Sequence, residues 1–212
     1  FDMDGVIVDT EPLHRKAYFK MFEDFEMNVS EELYATFTGA STKNVCNTLI
    51  EKYNLNSNHE ELSLIKRKYF KHYFYNDADF NLIDCVKDLI ENYYENGIKL
   101  VLASSASMTT IEMVFEKFGL EKYFIGKISG ADLKESKPHP EIFLLASEIA
   151  DEKRESCMVI EDSTNGIEAA NRAGIFCVAY KSEHSEKQVY EKANLVISDF
   201  QEIEFEKIEK YF

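Results

Sequence analysis

From Lys99 onward the chain alternates short, unbroken apolar runs with stretches of helical periodicity, and that alternation leaves few folds open. Residues 99–103 form an apolar run too short for a typical helix. Residues 108–120 then place Ile111, Val114, Phe115 and Phe118 at helical spacing, with Gly119 suited to a helix end. Residues 124–129 are a weaker strand candidate. Residues 140–149 carry Ile142, Leu145, Ala146 and Ile149 on one helical face behind a starting proline. Residues 157–160 are a buried-type strand, 165–173 a helix closed by Gly174, and 176–180 and 195–197 are strands. Continuous apolar strands separated by helices predict a Rossmann-like α/β fold, a parallel sheet flanked by helices on both faces.

Residues 11–79 have a different character. They are rich in Glu, Lys, Tyr and Phe and show no convincing strand. Leu13, Ala17, Met21 and Phe25 mark one helical face, and Leu62, Ile65, Tyr69 and Tyr73 mark another. The pattern predicts a helical bundle over 11–79 inserted into an α/β core made of 1–10 and 80–212. A helix over 84–96, with Val86, Leu89, Ile90 and Tyr93, returns the chain to that core.

Charge narrows the partners. The 212 residues carry a net charge of −15, with 45% hydrophobic and 30% charged residues. Such a surface repels nucleic acid and anionic membrane, and no apolar run is long enough to span a bilayer. It also repels phosphorylated molecules, so a phosphate site would need positive charge of its own. The four cysteines are scattered and form no Cys-x-x-Cys, which predicts reduced thiols in a cytoplasmic protein. A monomer is the expected state. Only Phe1 precedes Asp2, so the rest of a first strand is expected upstream of Phe1.

The chemistry-bearing residues gather at expected strand ends. Asp2-Met3-Asp4-Gly5 opens the chain, and residues two apart on a strand share a side, so both carboxylates can approach one centre and together hold a hard cation. The competing reading is an acidic Asp-Gly turn. Ser104-Ser105 follows the 99–103 run, and Glu161-Asp162 follows 157–160. Lys137-Pro138 opens the helix that precedes this acidic strand end. Open α/β sheets bind ligands at such carboxyl ends. Each element has a plainer alternative: a helix-start lysine, a capping serine, a capping acid pair.

Taken together, Asp2-Met3-Asp4-Gly5-Val6, Ser104, Lys137 in Ser-Lys-Pro-His-Pro-Glu-Ile-Phe, and Glu161-Asp162-Ser163 followed by Asn165-Gly166 resemble the haloacid dehalogenase-like superfamily. The chain resembles the branch with a helical cap inserted after the first motif, which includes sugar-phosphate phosphatases and β-phosphoglucomutase. The resemblance implies that Asp2 is the nucleophile of an aspartyl-phosphate mechanism and Asp4 the general acid and then base. It implies Mg2+ held by Asp2, the Asp4 backbone carbonyl and Asp162, with Glu161 near or in the shell. Lys137 and Ser104 would stabilise the transferring phosphoryl group. His14, Gly39, Lys68 and Ser105 are the implied substrate-binding positions, and His139 is expected to be a loop residue. The cap is expected to close over the site, with hinges near residues 8–10 and 77–82.

Within that family Asp4 argues against dehalogenation and phosphonate cleavage, whose enzymes lack an acid/base aspartate there. β-Phosphoglucomutases carry an arginine in the first cap loop, where this chain has Thr42, and a Ser-Lys-Asn run where it has Ala106-Ser107-Met108. The expectation is therefore a phosphatase of small phosphorylated metabolites, with a mutase as the alternative. A non-catalytic phosphate-binding or signalling protein is a third reading. It is disfavoured because both Asp2 and Lys137 are present.

Overall fold

The computed structural model describes residues 1–37, 42–182 and 188–212. They divide into two compact units, Thr10–Phe80 on one side and Phe1–Asp9 with Asn81–Phe212 on the other.

The Thr10–Phe80 unit is helical: α1 (Glu11–Asp24), α2 (Glu31–Ala35), α3 (Thr42–Tyr53) and α4 (His59–Asn76). Side chains satisfy the orphan amides at two starts. Ser30 accepts from the Leu33 N–H at 3.3 Å and Asn58 from the Glu61 N–H at 2.9 Å. Met21 and Phe22 of α1, Val45, Cys46 and Leu49 of α3, and Leu62 of α4 form its core. The buried row of α4 differs from the expected one. It runs Leu62, Lys66, Phe70, Phe74, while Ile65, Tyr69 and Tyr73 are only partly covered. A lysine inside the row disguised it, because apolar periodicity counts only apolar residues.

In the second unit α5 (Val86–Glu95) leads to β1 (Leu100–Ser104), α6 (Met108–Phe118) and β2 (Phe124–Ser129). The chain continues through α7 (Glu141–Ala150), β3 (Met158–Glu161), α8 (Thr164–Ala173), β4 (Phe176–Tyr180), β5 (Leu195–Ile197) and the short α9 (Phe205–Ile208). These strands pair in parallel, β1 with β2, and β3 with β4 and then β5. Gly119 and Gly174 end α6 and α8 at φ +65 and +70, a left-handed conformation that strains other residues. On α7 the expected face is partly wrong. Ile142 and Phe143 are buried, but Ile149 is 44% exposed.

The first residues join the two ladders. The Phe1 amino group donates to Val101 O at 2.9 Å, the Ala103 N–H to Phe1 O at 2.8 Å, and the Asp2 N–H to Ile160 O at 2.9 Å. Phe1 and Asp2 thus stand between β1 and β3, which places Asp2 at the centre of the sheet's carboxyl edge. Beyond Asp2 the chain is not a strand. The Val6, Ile7 and Val8 N–H groups all point back to Met3 O, and the Gly5 N–H donates to Val8 O at 2.8 Å. The two aspartates are separated by the start of this tight loop, so strand alternation does not relate them. Apolar Val6, Ile7 and Val8 imitate a strand in sequence because all three are fully buried.

Candidate active site

Lys137 is the hub of the site. Its side chain is 6% exposed, and its ammonium donates to Asp2 Oδ1 at 2.6 Å, Glu161 Oε1 at 2.8 Å and Ala103 O at 3.1 Å. An ammonium has three protons, and these three acceptors use them. The ammonium also lies 4.9 Å from the Phe143 ring centroid. Burial alone lowers a lysine's pKa, but Asp2 and Glu161 reverse this and hold Lys137 above the ordinary lysine range. It is a fixed cation.

The carboxylates feel the opposite pressure. Burial pushes Asp2 up to about 7 against the pull of Lys137, and Glu161 and Asp4 push it further. Burial, Glu161 and Asp2 push Asp162 up to about 8. Three carboxylates share one ammonium, so the cluster has excess negative charge and a donor set of hard oxygens. That chemistry fits a divalent cation. Among the described residues no three His, Cys, Asp or Glu side chains converge closely enough to hold an ion by themselves. Asp2, Asp162 and the Asp4 backbone carbonyl are the donors on offer.

Glu161 is otherwise engaged. One oxygen takes Lys137; the other accepts from the Ser163 N–H at 2.7 Å and its hydroxyl at 2.9 Å. Ser163 in turn caps α8 by accepting from the Gly166 N–H at 3.1 Å. Glu161 therefore links Lys137 to the start of α8 through Ser163. Two glycines make room: a Cβ on Gly166 would fall inside the Glu161 carboxylate, and one on Gly5 inside that of Asp162.

Ser104 ends β1, 1% exposed, and its Oγ accepts from the Ala106 N–H at 3.1 Å, which leaves its own O–H to donate. Ser105 is exposed. His139 is exposed and its Nδ1 accepts from the Glu141 N–H at 3.3 Å, as a loop residue would. An apolar cavity of about 390 Å³ opens at the other ends of these strands, beside Leu100, Val101, Met158 and Val159. Asp2, Lys137 and Glu161 do not line it.

In the helical unit His14 is paired with Lys66, whose ammonium lies 2.6 Å from His14 Nδ1. A lysine only donates, so Nδ1 accepts and the ring proton sits on Nε2. Burial, and then Lys66, push His14 down to about 3. His14 also stacks on Phe70 at 4.4 Å. Lys68 is exposed, so the lysine partnered with His14 is Lys66, two residues earlier. Its position in the α4 row of Leu62 and Phe70 was the available signal, since a lysine in an apolar row needs a reason to be there. Gly39 lies outside the described residues.

A family model for haloacid dehalogenase-like hydrolases matches residues 1–180. The chain belongs to that family. A phosphorylated carbohydrates phosphatase of Thermotoga maritima is 33% identical over 82% of this chain and 80% of its own length. The fructose-1-phosphate phosphatase YqaB of Escherichia coli is 26% identical over 84% and 93%. Among solved structures, a β-phosphoglucomutase of Clostridium difficile superposes with a TM-score of 0.78 at 26% identity, covering 100% of this chain and 94% of its own. The chain is a haloacid dehalogenase-like hydrolase of the phosphatase type. Among its described residues, no helix is long and apolar enough to cross a membrane.

Proposed function

We propose that this hydrolase cleaves the phosphate monoester of a small metabolite, a sugar phosphate, through an aspartyl-phosphate on Asp2. The observation that carries the reading is the buried Lys137 ammonium held between Asp2 and Glu161 at 2.6 and 2.8 Å. A carboxylate can attack a phosphate only where their mutual repulsion is offset, and this cation sits at the attacking group. The Asp2 carboxylate attacks phosphorus and the bond to the leaving oxygen breaks. Asp4 delivers a proton to that oxygen, then takes one from the water that attacks the phosphoryl-enzyme and frees phosphate. Ser104 donates its hydroxyl proton to a phosphoryl oxygen. Asp2, Asp162 and the Asp4 carbonyl would hold Mg2+, which would supply further positive charge to offset the repulsion.

The Thr10–Phe80 unit serves in this reading as the substrate-selecting cap. The two phosphatase relatives, both named for sugar phosphates, support the substrate class. Phosphate release over a sugar-phosphate panel tests it. Asp2→Asn should fold and lose turnover; substantial residual activity in folded protein sinks the nucleophile assignment.

The likeness to a β-phosphoglucomutase favours a second reading, transfer between two hydroxyls of one sugar. Incubation with β-glucose 1-phosphate, Mg2+ and a trace of the 1,6-bisphosphate then yields glucose 6-phosphate. Inorganic phosphate without isomer excludes it. Thr42, where such mutases carry an arginine, is the reason hydrolysis stands first.

A further inference from the structure

The end of β2 touches the turn after β1. Ser104 and Ser129 are register partners in the parallel ladder. Ser129 is 3% exposed, and its hydroxyl donates to the Ala106 carbonyl at 2.9 Å. The Ala106 N–H donates to Ser104 Oγ at 3.1 Å. Both peptide planes flanking Ala106 are therefore pinned, one by each serine. The next residue has no side chain where one would intrude. A Cβ on Gly130 would lie 3.1 Å from Ser105 Cα and 3.2 Å from Ser104 O, both of them backbone atoms that cannot swing aside.

We propose that Ser129 and Gly130 are positioning residues that hold the 104–106 turn in the form that receives a phosphate oxygen. The proposal rests on the phosphatase reading, in which Ser104 donates to the phosphoryl group. Ser129 acts through Ala106: with the Ala106 carbonyl held, its N–H stays aimed at Ser104 Oγ, and the Ser104 hydroxyl proton is turned away from the turn. A hydroxyl that merely satisfied a buried carbonyl would influence stability alone. One that aims the turn influences phosphate binding as well.

The test uses the full chain with Mg2+ and inorganic phosphate as probe, by calorimetry, beside kcat and KM on fructose 1-phosphate. Ser129→Ala should raise the phosphate Kd and the KM about tenfold, the factor one ordinary hydrogen bond carries, with kcat lowered less than about threefold. Ser129→Thr should restore most of the affinity. Gly130→Ala should shift Kd in the same direction, and it serves as the second probe if Ser129→Ala does not fold. Unchanged Kd and KM in folded variants, or a fall in kcat at unchanged Kd, overturns the proposal. A wild-type protein that neither binds phosphate nor hydrolyses any ester overturns the phosphatase reading as well, and this shows before any variant is made.

Discussion

Each unit of this chain buries one lysine beside a titratable partner, and the two settings are opposites. Lys137 faces the carboxylates of Asp2 and Glu161, and it is held above the ordinary lysine range. Lys66 is 4% exposed, lies 4.9 Å from the Tyr18 ring centroid, and pairs with an imidazole kept neutral. Burial dominates there and pushes it down to about 8, although Glu11 pulls the other way. The desolvation is of the same kind in both places, so the partner's charge decides the sign. One lysine is held as a cation between carboxylates at the candidate site. The other sits close to losing its charge.

Deleting each lysine should break the comparison most visibly. Lys137→Met strands two buried carboxylates, and we expect stability to fall by about 3–5 kcal/mol. Turnover should fall at least 10²–10³-fold, roughly the effect of losing one preorganised electrostatic contact. Urea melts and phosphate release on one preparation measure both. Lys66→Met should do the reverse to stability and raise it by about 1–3 kcal/mol at neutral pH, since it removes a buried charge whose desolvation outweighs the pull of Glu11. A loss of stability there would show that the charge is better matched than its surroundings indicate.

Gly166→Ala sharpens the contrast without touching either lysine. The added methyl expels the Glu161 carboxylate and leaves Lys137 with Asp2 alone among its anions. We expect kcat to drop about tenfold or more and stability by about 1–3 kcal/mol, the range for overpacking. Near-wild-type kcat would show that Glu161 is dispensable for aiming Lys137.

The smallest effects lie in the pH dependence of the helical unit. His14 is pushed from its ordinary 6.5 to about 3, so the unfolded chain binds the proton first. Stability is full well above 6.5 and declines as pH falls towards 3, by about 0.7 kcal/mol between pH 7 and pH 6. Lys66 is pushed from 10.5 to about 8, so its penalty is complete below 8 and is relieved as pH climbs towards 10.5. His14→Leu should flatten the acid limb, and Lys66→Met the alkaline one. Denaturant melts across pH read both, and limbs that persist in the variants would assign the titrations elsewhere.

The sequence made some features plain and hid others. The strand and helix alternation from Lys99 was legible because strands buried on both faces are apolar throughout, and because Gly119 and Gly174 mark helix ends at φ values other residues avoid. The 3–8 loop was legible only as the competing Asp-Gly turn. Its Val6, Ile7 and Val8 are buried like strand residues, and only the hydrogen bonds back to Met3 show that the chain turns. The duty of Glu161 could not be assigned, since its residue type suits a metal ligand as well as a lysine partner. Ser129 gave no signal because its whole contribution is one hydrogen bond to a backbone carbonyl from a neighbouring strand.

What the sequence determined alone was the set of chemistries available: acids, a lysine and a serine placed after apolar runs, in an order that matches one enzyme family. Periodicity and residue type are local properties, and they survive without a fold. The tertiary structure decided which groups meet: Lys137 with Glu161 as well as Asp2, His14 with Lys66, Ser129 with the turn after β1. Those choices depend on distances between residues far apart in the chain. A shift of one helical step on α4, or of one register position between β1 and β2, would replace each partner with another.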